Sequence, residues 1–152
     1  MSLRYRIFIT LLLSLFVCSI FFEVVINFLP ISAYLLPFVR KGFSLICHQH
    51  EEKLINLLGF HSMVCARCTG IYLGMFLISI YAIFKPIKRI NGYKLLFIFS
   101  IPMVADVLFI GMKLYNYSKI SAIITGIFFG SVLFVYLYNG LNLLIIENRA
   151  RH

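Results

Sequence analysis

The chain has 152 residues, of which 62% are hydrophobic and only 12% are charged, and its formal net charge is +9. A soluble domain usually carries about twice that charged fraction, so the composition excludes an ordinary soluble protein and favours a single integral membrane domain over residues 1–152. Positive charge suggests a nucleic-acid partner in a soluble domain, but here the basic residues flank apolar runs, so we expect membrane lipid, and no nucleic acid, as the partner.

Four apolar stretches of the sequence are long enough to cross a bilayer, which takes about 20 residues of helix. Backbone groups in lipid need hydrogen-bond partners within their own segment, so continuous apolar runs favour helices over open strands. The predicted spans are residues 7–29, 66–84, 95–112 and 120–146. We therefore predict an all-α membrane protein, a bundle of four transmembrane helices.

The first predicted span follows two arginines, as the apolar run of a signal peptide would. However, its apolar run is long and no small-x-small cleavage site closes it, so we interpret it as an uncleaved anchor. Ser19, Glu23 and Asn27 recur every four residues and share one helical face. Because a carboxylate is costly against lipid, this face should look into the bundle.

A long loop, residues 30–65, connects the first span to the second and holds three of the four histidines. Residues 31–46 are apolar but too short and too interrupted to span, so we expect them to lie in the membrane interface or to fold back against the bundle. Residues 54–60 are predicted to form one or two helical turns that end at Gly59.

The third span contains Pro102 and Asp106, four residues apart. Proline frees the carbonyl of Ile98 and kinks a helix, so the kink and the buried acid should lie on one side of this helix. After a short connection, Ser118 can cap the fourth span. Three tyrosines fit an aromatic belt at the membrane interface: Tyr72, Tyr115 and Tyr117.

Two segments share the pattern Thr-Gly-Ile-aromatic-x-Gly: residues 69–74, which open the second span, and residues 125–130, near the start of the fourth. An acid-bearing helix precedes each segment, with Glu23 in the first half and Asp106 in the second. Both even-numbered spans run in the same direction, so the pattern suggests two helical hairpins related by an axis along the membrane normal. The glycines, spaced GxxxG, also let membrane helices approach closely. Chance resemblance between apolar segments is the alternative.

Lysines and arginines predict the orientation, because cytoplasmic loops carry an excess of them. With both termini inside, the inner side holds Arg4, Arg6, Lys85, Lys88, Arg89, Lys94, Arg149 and Arg151. The outer side then holds Arg40, Lys41, Lys53, Arg67, Lys113 and Lys119. The bias is small, but the short inner loop is densely basic. We therefore expect a protein of the cell inner (plasma) membrane with both termini in the cytoplasm.

The outer end of the predicted bundle collects groups that bind metals or exchange thiols: Cys47, His48, His50, His61, Cys65 and Cys68. A Cys-x-x-Cys pair at a helix start, here Cys65 and Cys68, places two sulfurs within reach of one metal ion. Cys47 and one histidine, for which we choose His48, would complete a tetrahedron. The sequence therefore predicts a metal site, with zinc as the expected ion.

Two other interpretations stay open. A thiol pair at a helix N-terminus beside Arg67 should react readily, which suits a thiol–disulfide oxidoreductase linked to a membrane quinone, with Cys65 and Cys68 as its catalytic residues. Alternatively, a static disulfide from Cys47 to Cys65 or Cys68 would pin the loop of a structural or assembly subunit in an oxidising compartment. Whether the protein is an enzyme therefore stays open.

Beneath the cysteines we expect further polar residues of the site or of a pathway, namely Glu23, Arg67, Asp106 and Thr69. A buried carboxylate needs a partner, so Arg67 is expected to pair with Glu23 or with Asp106. A protonated acid hydrogen-bonded to Asn27 or to Thr125 is the alternative. Transport along these acids would need a homo-oligomer, since four helices enclose only a small conduit.

The run Cys47-His48-Gln49 and the later run Val-Cys-Ala-Arg-Cys-Thr-Gly-Ile-Tyr-Leu-Gly, residues 64–74, resemble a family of small prokaryotic integral membrane proteins catalogued as a domain of unknown function. The family pattern continues with an Asp-Gly and a second Thr-Gly-x-x-x-Gly. Here Val107 follows Asp106 in place of that glycine. The resemblance covers most of residues 45–130 and implies a bacterial or archaeal membrane protein, without implying an activity.

Overall fold

The computed structural model describes residues 3–28, 30–47, 51–57, 59–87, 92–114 and 116–150. Its α-helices are α1 (Leu3–Ile20), α2 (Phe22–Phe28), α3 (Leu36–Ser44), α4 (Ala66–Phe84), α5 (Lys94–Gly111) and α6 (Lys119–Ala150). A two-stranded sheet, made of β1 (Leu54–Leu57) and β2 (Phe60–Cys65), precedes α4. Short 3-10 helices cover Pro30–Leu35 and Glu51–Lys53.

Four of these helices, α1, α4, α5 and α6, are long and apolar enough to cross a membrane. Large apolar side chains such as Leu15, Phe84 and Ile101 are exposed on them, which is unfavourable in water and favourable in lipid. α1 packs against α4, α4 against α6, and α6 against α5. The prediction of a mostly helical protein with four membrane helices is confirmed.

The first predicted span, residues 7–29, is two helices and not one. The break between α1 and α2 falls at Phe21, whose N–H donates to the carbonyl of Cys18 at 3.1 Å. This bond joins residues three apart, so the chain tightens and leaves the α-helical pattern there. The face expected to carry Ser19 together with Glu23 is therefore interrupted.

The segment before α4 is a β-hairpin, so the prediction of helical turns over residues 54–60 was wrong. β1 and β2 are antiparallel, and Leu54 lies opposite Cys65. Gly59 has a φ of +85°, a left-handed conformation that is easy for glycine and here lies between the two strands instead of ending a helix. The hairpin delivers Cys65 directly to the start of α4.

An apolar cluster holds the hairpin and α3 against the end of α1. Its buried members are Ile20, Phe43, Cys47, Met63 and Val64. Met63 and Val64 are consecutive residues of β2 and are only 3% and 0% exposed, so both faces of the strand are covered at this point. This tertiary burial, which local sequence does not reveal, favours the strand over a helix. Phe43 also shows that α3 folds back against the bundle, while Phe38 on the same helix stays exposed.

α4 and α6 run side by side and approach most closely at four glycines. Each glycine faces backbone atoms of the other helix: Gly70 those of Ile123, Gly74 those of Ile127, Gly126 those of Arg67, and Gly130 those of Ile71. A methyl group at any of these glycines would overlap the facing backbone. The facing positions advance together along both helices, so the pair is parallel. Further along α4, Leu13, Ala82, Phe134 and Tyr138 form a second cluster that joins α1, α4 and α6.

Candidate functional site

Three elements bring three cysteines together at one end of the helices. Cys47 follows α3, Cys65 ends β2, and Cys68 lies in the first turn of α4. Their sulfur atoms all lie within 4.8 Å of one another. Cys65 has extended backbone angles, φ −62° and ψ 157°, so the chain turns from strand to helix at that residue. Three of the four metal ligands predicted from the sequence therefore share one place.

The three sulfurs fit a soft metal ion. Tetrahedral zinc with Zn–S bonds of about 2.3 Å separates its sulfurs by about 3.8 Å, so a small closing movement would bring all three to ligand positions. In the part of the chain that the structure describes, no histidine, aspartate or glutamate joins this group. The predicted fourth ligand, His48, and the neighbouring His50 lie outside the described residues.

Hydrogen bonds fix the positions of the cysteines. The Cys65 N–H donates to the sulfur of Cys47 at 3.3 Å. The hydroxyl of Thr69, which is fully buried, donates to the Cys65 carbonyl at 3.2 Å. The three clustered cysteines are free thiols, as is Cys18, which is exposed on α1. Thr69 thus belongs to the site by holding the backbone of a predicted ligand.

The pKa of the Cys65 thiol is lowered to about 5. The main cause is the hydrogen bond from the Cys68 side chain, which stabilises the Cys65 thiolate; partial burial of Cys65 opposes it, and a hydrogen bond from the Cys47 side chain adds to it. The thiolate is the form of cysteine that binds metals and attacks disulfides. Cys65 is therefore in its reactive form at neutral pH.

Arg67, which stands between Cys65 and Cys68, pairs with Asp106 and not with Glu23. Its guanidinium contacts one oxygen of the Asp106 carboxylate, and the hydroxyl of Ser121 donates to the other oxygen at 3.1 Å. The side chain of Asp106 is 4% exposed and that of Arg67 is 19% exposed. This contact ties α4, α5 and α6 together beside the cysteines.

Glu23, the other predicted acid, faces the hairpin. One carboxylate oxygen accepts the N–H of His61 at 2.8 Å, and the other lies 3.8 Å from the guanidinium of Arg40. Glu23 and Asp106 therefore have different partners, and these contacts do not join the two acids in one polar group beneath the cysteines. Glu23 instead connects α2 to β2 and α3.

Tyr117 was assigned from the sequence only to the interfacial belt, yet it lies beside the cysteines. Its hydroxyl is buried and has no hydrogen-bond partner among the described residues. The ammonium of Lys53 lies over its ring, 5.7 Å from the centroid. Burial raises the pKa of Tyr117 to about 12, and the charge of Cys65 adds to the shift. The spacing of four residues from Tyr117 to Ser121 is the one signal in the sequence that could have placed it here.

Four apolar helices with a cluster of three cysteines at one end define a multi-pass membrane protein with a thiol-rich site. Residues 47–136 match the family described as "Predicted membrane protein (DUF2085)", and the chain belongs to this family. The matched range begins at Cys47 and includes Cys65, Arg67, Cys68 and Asp106. The resemblance to a family of membrane proteins of unknown function is thereby confirmed.

Two archaeal proteins are similar to this chain. An uncharacterised protein of Methanothermobacter thermautotrophicus is 44% identical over 50 residues, which make up 33% of this chain and 45% of that protein. An uncharacterised protein of Methanocaldococcus jannaschii is 30% identical over 112 residues, 68% of this chain and 70% of that protein. The chain thus aligns with less than half of the length of the first of these relatives. No solved structure matches the chain.

Proposed function

We propose that the protein holds a zinc ion through the thiolates of Cys47, Cys65 and Cys68, with His48 as the fourth ligand. The observation that carries this proposal is the gathering of three sulfurs from separate elements within 4.8 Å of one another. Thiolate and imidazole are ligands that zinc prefers, and Cys-x-x-Cys is a usual spacing for two of them. His48 is chosen because it directly follows Cys47 in the chain.

Four protein ligands leave no open position on the metal, which is typical of a structural zinc site. A bound zinc would cross-link the end of α3, the end of β2 and the first turn of α4. The hydroxyl of Thr69 already fixes the Cys65 carbonyl, and the Cys65 N–H already fixes the Cys47 sulfur, so the site is largely preformed. The role proposed for the metal is to pin the hairpin over the ends of the membrane helices.

Elemental analysis of the full chain, purified in mild detergent without chelator, tests this proposal. The wild type should contain about one zinc per chain. The variants Cys47→Ser and Cys65→Ser should lose most of it, while Cys18→Ser, a matched substitution outside the cluster, should keep it. Folded wild-type protein without metal would overturn the proposal.

A second candidate function, thiol–disulfide exchange with a membrane quinone, is supported by the lowered pKa of Cys65. In this reaction the Cys65 thiolate and the Cys68 thiol form a disulfide. Two electrons and the Cys68 proton pass to the quinone, which takes a second proton from solvent and becomes the quinol. Mass spectrometry of labelled thiols should then show Cys65 and Cys68 blocked after quinone and free after reductant. A labelling pattern that never changes would reject this function.

We further propose that both termini lie in the cytoplasm, with the cysteine cluster at the external face of the cell inner membrane. The support is the dense group of basic residues between α4 and α5. A membrane-impermeant maleimide added to intact cells should label a Lys113→Cys variant above the wild-type level. It should label a Lys85→Cys variant only after lysis, since both positions are exposed but Lys85 follows α4 and Lys113 follows α5, so that the whole of α5 separates them. The reverse pattern would invert the topology.

We also propose that the chain is built from two related helical hairpins, α1 with α4 and α5 with α6. The contacts between α4 and α6 support this relation. The contacts of the two helices repeat with an offset of 56 residues. Gly70 on α4 faces Ile123 on α6, and 56 residues later Gly126 on α6 faces Arg67 on α4, which is 56 residues before Ile123. Gly74 facing Ile127 and Gly130 facing Ile71 are related in the same way. Each contact therefore has a counterpart with the two helices exchanged, as a two-fold axis along the membrane normal requires.

A further inference from the structure

Two buried hydrogen-bond donors beside the cysteine cluster lack a partner among the described residues. They are the Nε–H of Arg67 and the hydroxyl of Tyr117. A buried donor without a partner is unfavourable by about 1–3 kcal/mol, so native proteins keep such groups where another molecule completes them. The pair is not needed for the zinc site or for the Arg67–Asp106 contact, which uses a different nitrogen of the guanidinium.

The two donors belong to one polar region. Arg67 reaches Asp106, which accepts a hydrogen bond from Ser121 on α6. Tyr117 lies four residues before Ser121, at the entrance to the same helix. The charges of Arg67 and Asp106 both act on the Tyr117 hydroxyl, whose pKa of about 12 keeps it protonated and able to donate at neutral pH. The charge of Arg67 acts on Tyr117, so both donors lie in the same polar region between the starts of α4 and α6.

The surrounding charges indicate which kind of acceptor fits. The guanidinium of Arg67 is balanced by the carboxylate of Asp106, its ion-pair partner. An added anion would leave an unbalanced charge in a partly buried site, which is costly. A neutral oxygen acceptor is therefore favoured.

The position of the site indicates where the ligand comes from. Arg67 lies in the first turn of α4, and Tyr117 stands two residues before α6, so both are at the mouth of membrane-crossing helices. A molecule dissolved in the bilayer can diffuse directly to the ends of these helices. Carbonyl oxygens are the usual neutral acceptors on such molecules, both in quinone head groups and in the ester groups of phospholipids.

We propose that Arg67 Nε–H and the Tyr117 hydroxyl bind the carbonyl oxygen of a neutral, membrane-soluble ligand, in a subsite beside the cysteine cluster. Tyr117 and Arg67 are thereby binding residues for a small molecule. The inference is independent of the proposed zinc site, because neither donor is a zinc ligand.

The test uses the full chain in a maltoside detergent, which has no carbonyl group. One arm measures binding of a radiolabelled short-chain ubiquinone analogue by scintillation proximity, and the other measures phosphatidylcholine retained after detergent exchange. In one of the arms, Tyr117→Phe should weaken binding about fivefold to tenfold, the usual effect of losing one neutral hydrogen bond. Arg67→Lys, which keeps the charge but lacks the Nε–H, should weaken binding of the same ligand.

Tyr93→Phe is the matched control, because Tyr93 is exposed at the start of α5 and far along the chain from the site. It should bind as the wild type does. Unchanged binding in Tyr117→Phe, or no binding in either arm, would overturn the proposal and leave water as the partner of the two donors. Zinc content measured in the same samples reports on the metal site separately, so the two proposals can fail independently.

Discussion

The carboxylate of Asp106 on α5 is held between the guanidinium of Arg67 on α4 and the hydroxyl of Ser121 on α6. Asp106 is the buried residue of α5, a helix otherwise covered with half-exposed or exposed apolar side chains. The polar contacts of Asp106 therefore join α5 to both α4 and α6. It also explains why an acid is present in a membrane-crossing helix, where an unpaired charge would be strongly unfavourable.

Replacing Asp106 by Asn should destabilise the protein by about 3 kcal/mol, because removing one partner of a buried ion pair leaves the other charge uncompensated. Arg67→Met should cost at least as much, since the carboxylate is the more buried partner. The double variant Arg67→Met/Asp106→Asn should cost clearly less than the sum of the two. Equilibrium unfolding in detergent measures all four proteins, and additive effects would show that the two side chains do not interact.

The glycine contacts between α4 and α6 predict a large effect from one methyl group. Gly74→Ala would place its Cβ against the backbone of Ile127, so the helices must separate, at a cost of about 1–3 kcal/mol for overpacking. Gly140→Ala on α6 is the matched control, because nothing lies within 4 Å of its added Cβ. It should stabilise the helix by about 0.5–1 kcal/mol. Thermal unfolding in detergent distinguishes the two, and equal effects would contradict the close approach.

The four membrane spans and the cysteine site could be predicted from the sequence because their signals are local. Continuous apolar runs gave the four spans, and the spacing of Cys65 and Cys68 marked the site. Two things depended on contacts between distant segments and could not be read locally. Leu54–Leu57 form a strand that pairs with β2, whose Met63 and Val64 are buried against α1 and α3. Arg67 pairs with Asp106, while Glu23 accepts the backbone N–H of His61.

Glu23 makes two contacts of different kinds, and a pair of substitutions separates them. Glu23→Gln keeps an oxygen that can accept the His61 N–H but loses the charge facing Arg40. Because Arg40 is 62% exposed, that ion pair should contribute at most about 1 kcal/mol. Glu23→Ala loses the hydrogen bond as well. Amide exchange at His61 should therefore rise about fivefold or more in Glu23→Ala and little in Glu23→Gln. A similar rise in the exchange rate in both variants would show that the charge of Glu23, and not its hydrogen bond, protects the His61 amide.

The lowered pKa of Cys65 predicts an unusual pH dependence of alkylation in chelator-treated, metal-free protein. Only the thiolate reacts, so a pKa of about 5 keeps the rate nearly constant from pH 8 to about pH 6 and halves it near pH 5. An ordinary thiol, with a pKa of about 8.5, would slow about tenfold for each unit below pH 8. Iodoacetamide labelling followed by peptide mass spectrometry measures Cys65 separately from Cys47 and Cys68.

The same experiment in Cys68→Ala tests the cause of that shift. The Cys68 side chain donates the hydrogen bond that contributes most to lowering the Cys65 pKa, while burial of Cys65 acts in the opposite direction. Without the donor, the pKa should rise, and the alkylation rate at pH 6 should fall well below the rate at pH 8. A rate that stays constant between these two values in Cys68→Ala would mean that another group, such as Cys47 or the backbone N–H at the start of α4, stabilises the thiolate.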